Sequence, residues 1–195
     1  AMDNIKKGSY DLKLKVYVAL EMIIIKINLL PAKNENITRK LEEIREMLDA
    51  VYYPVGEAYY YYAAALNFRL TNNRYELVQN AERALSICES NNICSDIYGW
   101  ISITLGMIYS KYKEIDECKK IVKKAIENFQ NNKNLNGIII SKLVYVEFLA
   151  EHMDMQEVLS NYFEVNKLCK QKRAYTKEIL VLNDIADLYL NKNDY

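Results

Sequence analysis

The chain has few of the residues that end regular secondary structure. Glycine occurs 5 times and proline twice among 195 residues, whereas an all-β fold needs a turn signal every ~8–12 residues. The same scarcity excludes collagen-like and linker-like sequences. Hydrophobic residues make up 51% of the chain, which is enough to bury a core and excludes a disordered chain. The composition therefore predicts an all-α protein.

The chain also lacks an excess of either charge and a long apolar run. Lys plus Arg and Asp plus Glu each number 26, so no net positive field attracts a nucleic acid backbone. The most apolar stretch, 16–30, contains Glu21, Lys26 and Asn28 and is shorter than the ~20 residues that cross a bilayer. No secretory leader is recognisable at the start. We therefore expect no nucleic acid partner, no membrane span and a cytoplasmic location.

Side chains that support catalysis or bind metals are scarce. His152 is the one histidine, and neither a Walker loop nor an H-E-x-x-H motif occurs. Cys88, Cys94, Cys118 and Cys169 form no C-x-x-C pair, and two soft ligands near each other are too few for a zinc site. We expect reduced thiols, no catalytic residue, no cofactor and no metal.

Two charged helix faces are interpreted as solvated surfaces. Glu42, Glu43 and Glu46 alternate with basic residues at spacings that allow i, i+4 ion pairs. A second helix face is basic. We interpret it as a solvated surface, and the alternative is a binding surface for an anionic partner. Its lysines are Lys119, Lys120, Lys123 and Lys124.

Apolar residues recur at i, i+3, i+4 and i+7 in nine consecutive segments separated by short polar stretches. Pro31 is expected to end the first helix, and Pro54 to separate the second from the third. Asp154 and Glu157 have the spacing of a capping box at the start of the eighth. The predicted helices span 9–30, 37–52, 56–71, 74–91, 96–112, 115–131, 135–152, 155–171 and 175–191.

The segments repeat as pairs. Steps of 41, 40 and 40 residues connect Phe68, Tyr109, Leu149 and Tyr189, and Ile27 lies 41 residues before Phe68. In the second helices, a constant step of 41 relates Leu77, Ala81, Ala84, Leu85 and Cys88 to Cys118, Val122, Ala125, Ile126 and Phe129. Such a period predicts helix hairpins that bury a shared core by stacking.

This pattern resembles the tetratricopeptide repeat (TPR). The family's first-helix signature of a large, an apolar, a small and an aromatic residue appears as Leu182, Ile185, Ala186, Tyr189; as Ser102, Leu105, Gly106, Tyr109; and as Tyr61, Ala64, Ala65, Phe68. The period exceeds the family's usual 34 residues, and Val146 occupies one small position. The resemblance implies a TPR-like α-solenoid over 1–195, a right-handed superhelix of antiparallel helix pairs whose first helices line a concave groove.

On this register the groove carries side chains suited to peptide recognition. Tyr59 to Tyr62 are consecutive and therefore point to every side of their helix, at ~100° per residue. Aromatic rings with polar tips, Arg and Asn can bind an extended peptide or a helix, whereas ordinary packing of the aromatic residues is the alternative. The candidate groove residues are Tyr59, Tyr62, Leu66, Arg69, Trp100, Ile103, Met107, Glu147, Asn183 and Asp187.

The resemblance implies a non-catalytic protein- or peptide-binding module. TPR-like arrays precede diguanylate cyclase domains and follow DNA-binding domains in peptide-sensing regulators, so we expect a sensory region of a larger bacterial signalling protein. A structural spacer or dimerisation scaffold without ligand is the alternative. Residues 191–195 fall on a turn in mid-repeat, which predicts a fragment and a homodimer through its last helix. The faces left partly uncovered would include Ile179, Leu182, Ile185 and Leu188.

Overall fold

A computed structural model of the chain describes residues 2–29, 35–70 and 73–192. Within these ranges the fold is all-α, with nine α-helices and one short 3-10 turn. The 3-10 turn, Ala150–His152, follows the seventh helix. The helices are α1 (Met2–Leu29), α2 (Glu35–Asp49), α3 (Pro54–Leu70), α4 (Arg74–Ser90), α5 (Asp96–Lys111), α6 (Ile115–Asn131), α7 (Leu135–Leu149), α8 (Met155–Lys172) and α9 (Tyr175–Lys192).

Within the described ranges the nine predicted helices are confirmed, and four of them differ from the prediction by two or more residues at an end. Helix α1 begins at Met2 instead of residue 9, because a single Gly8 weakens a helix without ending it. Helix α2 ends at Asp49, and α3 begins at Pro54 itself, since proline suits the first position of a helix. Pro31, which was predicted to end the first helix, and residues 193–195 of the predicted last turn lie outside the described residues.

The seventh helix ends earlier than predicted, at Leu149, and its last turn tightens into the 3-10 turn. The predicted N-cap of the eighth helix, one of the two hydrogen bonds of a capping box, is confirmed. The Asp154 side chain accepts a hydrogen bond from the Glu157 backbone N–H at 2.8 Å, which satisfies one of the unpaired donors at the helix start.

Four helix ends form the same left-handed turn without glycine. In each, the N–H of the following residue bonds to a carbonyl five residues back, as from Glu114 to Tyr109 at 2.8 Å. This closure pairs carbonyls that would otherwise have no partner at the helix end. Short reversals therefore do not require glycine here. The left-handed residues are Asn92 (φ 52°), Lys113 (φ 61°), Lys133 (φ 56°) and Arg173 (φ 59°).

The chain divides into two compact units, 1–101 and 102–195. In the first unit, α3 and α4 pack most extensively, and both helices bury small side chains. These side chains are at most 8% exposed and allow the helix backbones to approach closely. They are Ala58, Ala64 and Ala65 of α3 and Ala81 and Ala84 of α4.

Helix α1 completes the first unit by packing on α2 and α3. Its inner face of Val16, Leu20, Ile23 and Ile27 is at most 2% exposed. At its end, Arg69 of α3 donates a hydrogen bond to the Asn28 side-chain oxygen at 3.1 Å, across 41 residues. That separation equals the repeat step found in the sequence.

In the second unit, two glycines bring helices into contact. A Cβ at Gly106 would overlap the Val122 side chain, and one at Gly137 would overlap the ring of Phe129. Lys177 donates to the Asn136 side-chain oxygen at 3.2 Å, again across 41 residues. The core of α7, α8 and α9 contains Ile139, Val146, Val158, Tyr162, Val165, Cys169, Val181 and Ile185.

Replacing Gly106 by alanine is expected to lower the free energy of unfolding by about 1–3 kcal/mol, because the added methyl overpacks the contact with Val122. Urea unfolding followed by circular dichroism measures the change. Gly8→Ala is the matched control, since nothing lies within 4 Å of its added Cβ, and it should gain up to ~1 kcal/mol of helix propensity. Equal stability of the two variants would contradict the close approach.

Candidate functional site

The five candidate residues of the first unit differ in their surroundings. Tyr62 and Leu66 are 8% and 1% exposed, so both contribute to the core. Tyr59 and Trp100 are half-buried, and Arg69 is exposed while bonded to Asn28. Of this set, Arg69 presents the most surface to a partner.

Tyr59 belongs to a hydrogen-bonded group that joins α1 and α3. Its ring meets that of Tyr17 edge to face, with centroids 5.4 Å apart, and it is hydrogen-bonded to Tyr17 and Glu21. The pKa of Tyr59 is raised, chiefly by burial and then by the charge of Glu21. Tyr59 therefore remains a neutral hydroxyl, and the group has a structural role in holding the two helices together.

In the second unit, three candidate residues recur at steps of 40 and are all exposed. They are Met107, Glu147 and Asp187, called here the exposed row. Met107 is 40% exposed, whereas its neighbours Gly106 and Ile108 are buried. Asn183, four residues before Asp187, is exposed as well. Ile103, the remaining groove candidate of this unit, is 5% exposed and belongs to the core, so four of the five predicted groove positions are open to solvent.

The exposed row continues into a group of carboxylates on α7 and α9. Protein atoms displace water around Glu147 and raise its pKa, and the like charge of Asp184 raises it further. The pKa of Asp184 is raised by the same two causes, with Asp187 as the neighbouring charge. Burial and the charges of Asp184 and Glu147 raise the pKa of Tyr162 to about 12. A cationic group placed here would relieve this repulsion.

The cysteines are free thiols, as expected. Cys88, Cys118 and Cys169 are buried in helices and Cys94 is exposed. Burial raises the pKa of Cys88 to about 12, which removes the thiolate needed for reactivity. His152 is exposed in the 3-10 turn. Across the described ranges, no group of three His, Cys, Asp or Glu side chains could hold a metal ion.

The charged face of α2 carries the expected ion pairs. Arg39 lies 3.7 Å from Glu43, and Arg45 lies 2.6 Å from Asp49, both at i, i+4 spacing. Such exposed pairs contribute ~0.3–0.5 kcal/mol each. On α6, Lys120 and Lys123 are exposed.

No helix in the described part of the chain combines the length and apolarity needed to cross a bilayer.

The described residues form a groove that the sequence pattern did not reveal. It lies between α1 and α2, has a volume of about 170 Å³, and combines an apolar floor with a charged rim. The face that includes Lys40 and Glu43 had been interpreted as solvated, and only the placement of α2 beside α1 makes those residues part of a groove. The lining residues are Ala19, Met22, Ile23, Lys26, Lys40, Glu43, Ile44 and Met47.

Comparison with known proteins supports the fold alone. No family model and no curated protein matches the chain. The crystal structure of BtubC (BKLC) from P. vanneervenii is similar, with a TM-score of 0.57 and 13% sequence identity over 99% of this chain and 88% of that chain. At this identity, the likeness shows a shared helical architecture.

Replacing Glu147 by glutamine is expected to raise the melting temperature near neutral pH. The folded state then no longer holds a carboxylate whose pKa lies above its unfolded value. The gain should shrink as pH falls through the raised pKa and vanish below the unfolded value of ~4.3, where both states hold the proton. Thermal unfolding at several pH values measures this, with the exposed Glu127→Gln as control. A gain that is independent of pH would contradict the repulsion.

Proposed function

We propose that this chain is a non-catalytic protein- or peptide-binding module of TPR-like architecture, a right-handed superhelix of helix pairs. The observation that carries the proposal is the exposed row of Met107, Glu147 and Asp187. In α5, Gly106 and Ile108 on either side of Met107 are buried, and so is most of α7, so these positions are open without serving the core. The contacts across 41 residues support the repeat.

The expected ligand is a peptide segment with a basic residue beside an apolar one. The raised pKa values of Glu147 and Asp184 reflect repulsion and lost solvation, both of which a lysine or arginine would offset. Met107 offers a flexible apolar contact one repeat away, and methionine adapts to varied partners. Asn183 can hydrogen-bond to a peptide backbone.

The wider context of the module rests on the family resemblance. TPR-like arrays serve as sensory regions, so this chain is proposed to regulate the output of a larger bacterial signalling protein in the cytoplasm. A diguanylate cyclase or a DNA-binding domain is the proposed output. The chain itself is proposed to act without catalytic residue, cofactor or metal.

Selection from a displayed random peptide library is expected to enrich Lys- and Arg-containing sequences on this chain. The double variant Glu147→Gln with Asp187→Asn should weaken an enriched peptide about tenfold, equivalent to ~1.4 kcal/mol, as measured by fluorescence anisotropy. The matched control is Glu117→Gln with Glu127→Gln on α6, which removes the same charge. Equal loss in both variants, or no enrichment, would overturn the proposal.

A dimerisation scaffold is the second candidate, because α9 leaves an apolar face exposed. Ile179, Leu182 and Tyr189 are 59%, 44% and 46% exposed. Ala186 is exposed, although the repeat-equivalent positions Ala65, Gly106 and Val146 are buried. Of the four residues predicted to be uncovered, Ile185 is buried and Leu188 half-buried, because both pack toward α8.

If this face mediates dimerisation, sedimentation velocity should show a dimer that Ile179→Glu converts to monomer, since a charge at the apolar contact is costly to bury. Phe163→Glu on α8, at a side chain 50% exposed, is the matched control and should leave the dimer intact. A monomer at every concentration would exclude the scaffold through α9.

A further inference from the structure

Helix α1 has two apolar faces, and the structure buries one of them. On the side of α1 opposite the buried face, a stripe at spacings of 4, 4, 3 and 4 residues consists of Leu14, Val18, Met22, Ile25 and Leu29. These side chains are 48–73% exposed. At ~100° per residue they lie within one quadrant of the helix, so they form a continuous surface, called here the α1 stripe.

The α1 stripe adjoins the groove between α1 and α2. Met22 belongs to both, and Met47 of α2, 36% exposed, lies on the other wall of the groove. A volume of about 170 Å³ suits one leucine side chain or phenyl ring, since a cavity of ~150 Å³ holds benzene. The surface thus combines a pocket for one anchor with a flat apolar contact.

The edge of this surface on the α2 side is basic. Lys26 and Lys40 line the groove, and Lys15 lies on the same side of α1, three helical turns before Lys26. Among the described residues, no carboxylate pairs with Lys26 or Lys40, while Glu43 pairs with Arg39. The opposite edge holds Glu21, which is engaged with Tyr59.

The geometry points to a docking site for an amphipathic helix of a partner protein, with one large apolar residue in the groove and carboxylates facing Lys26 and Lys40. Apolar grooves bind helices through anchors at i, i+3, i+4 and i+7, and methionine walls adapt to them. A standard interface buries ~800 Å² on each partner, and the α1 stripe with Met47 contributes six exposed apolar side chains to such an area.

This docking site shares with the proposed function only the class of ligand. The exposed row is acidic and selects basic segments, whereas the groove edge is basic and selects acidic ones. The two sites lie on separate units of the chain, so either can fail in an experiment without the other.

The test uses three labelled helical peptides of equal length with the same leucine positions and with glutamate, glutamine or lysine along one flank. Fluorescence anisotropy with the full chain measures each affinity. We expect the glutamate peptide to bind at least about tenfold tighter than the lysine peptide, and the preference to fall as salt is added.

Reversing the charge at the groove, with Lys26→Glu and Lys40→Glu, is expected to reverse the order of the peptides. The control Lys120→Glu with Lys123→Glu on α6 changes the net charge equally and should preserve it. Met22→Glu should abolish binding of the glutamate peptide. All of these substitutions are at partly or fully exposed positions, and circular dichroism verifies that each variant is folded.

Three outcomes would overturn the inference. One is equal binding of the three peptides, which would leave an apolar contact without charge selection. Another is equal loss in the α6 control, which would indicate a general charge effect. The third is a dimer of the free chain that Met22→Glu dissociates, because a second copy would then occupy the surface.

Discussion

Close approach of paired helices is the constraint on which the structure depends. Helix backbones can approach closely where side chains are small. Helices α3 and α4 bury Ala65 and Ala84, and Gly106 meets Val122 of α6. Ala65 and Gly106 are 41 residues apart, which equals the repeat step in this part of the chain.

Each paired helix keeps one face that is not covered by its neighbours. The candidate sites lie on these exposed faces. Met107 lies between the buried residues Gly106 and Ile108, and Glu147 follows the buried Val146, so both are exposed on helices whose other faces form the core. The same logic applies to α1, whose inner face is covered by α2 and α3 while Val18 and Ile25 stay exposed. The two surfaces differ in charge, which separates the ligands they suit.

Repeat register placed positions 107, 147 and 187 on one face, and all three are exposed. Leu66, 41 residues before Met107, is 1% exposed, so the register alone does not fix exposure, because each repeat has different neighbours. It did not foresee that Tyr62 packs into the core or that Tyr59 bonds to Tyr17 and Glu21, since consecutive tyrosines give no sign of which ones meet a neighbour. The repeat register also gave no indication of the α1–α2 groove. Its walls belong to two different helices, and the apolar spacing within one helix does not show which residues of another helix lie beside it.

Interactions between residues close in the sequence determined the secondary structure of this protein. The shortage of glycine and proline, the i, i+3, i+4 spacing and the capping pair Asp154 and Glu157 are enough to specify nine helices and most of their ends, because they act over a few residues. The tertiary structure alone decided which apolar faces are covered. Leu20 and Ile25 on α1 look alike in sequence, yet one is 0% and the other 51% exposed, since burial depends on where distant helices lie and no local pattern records that.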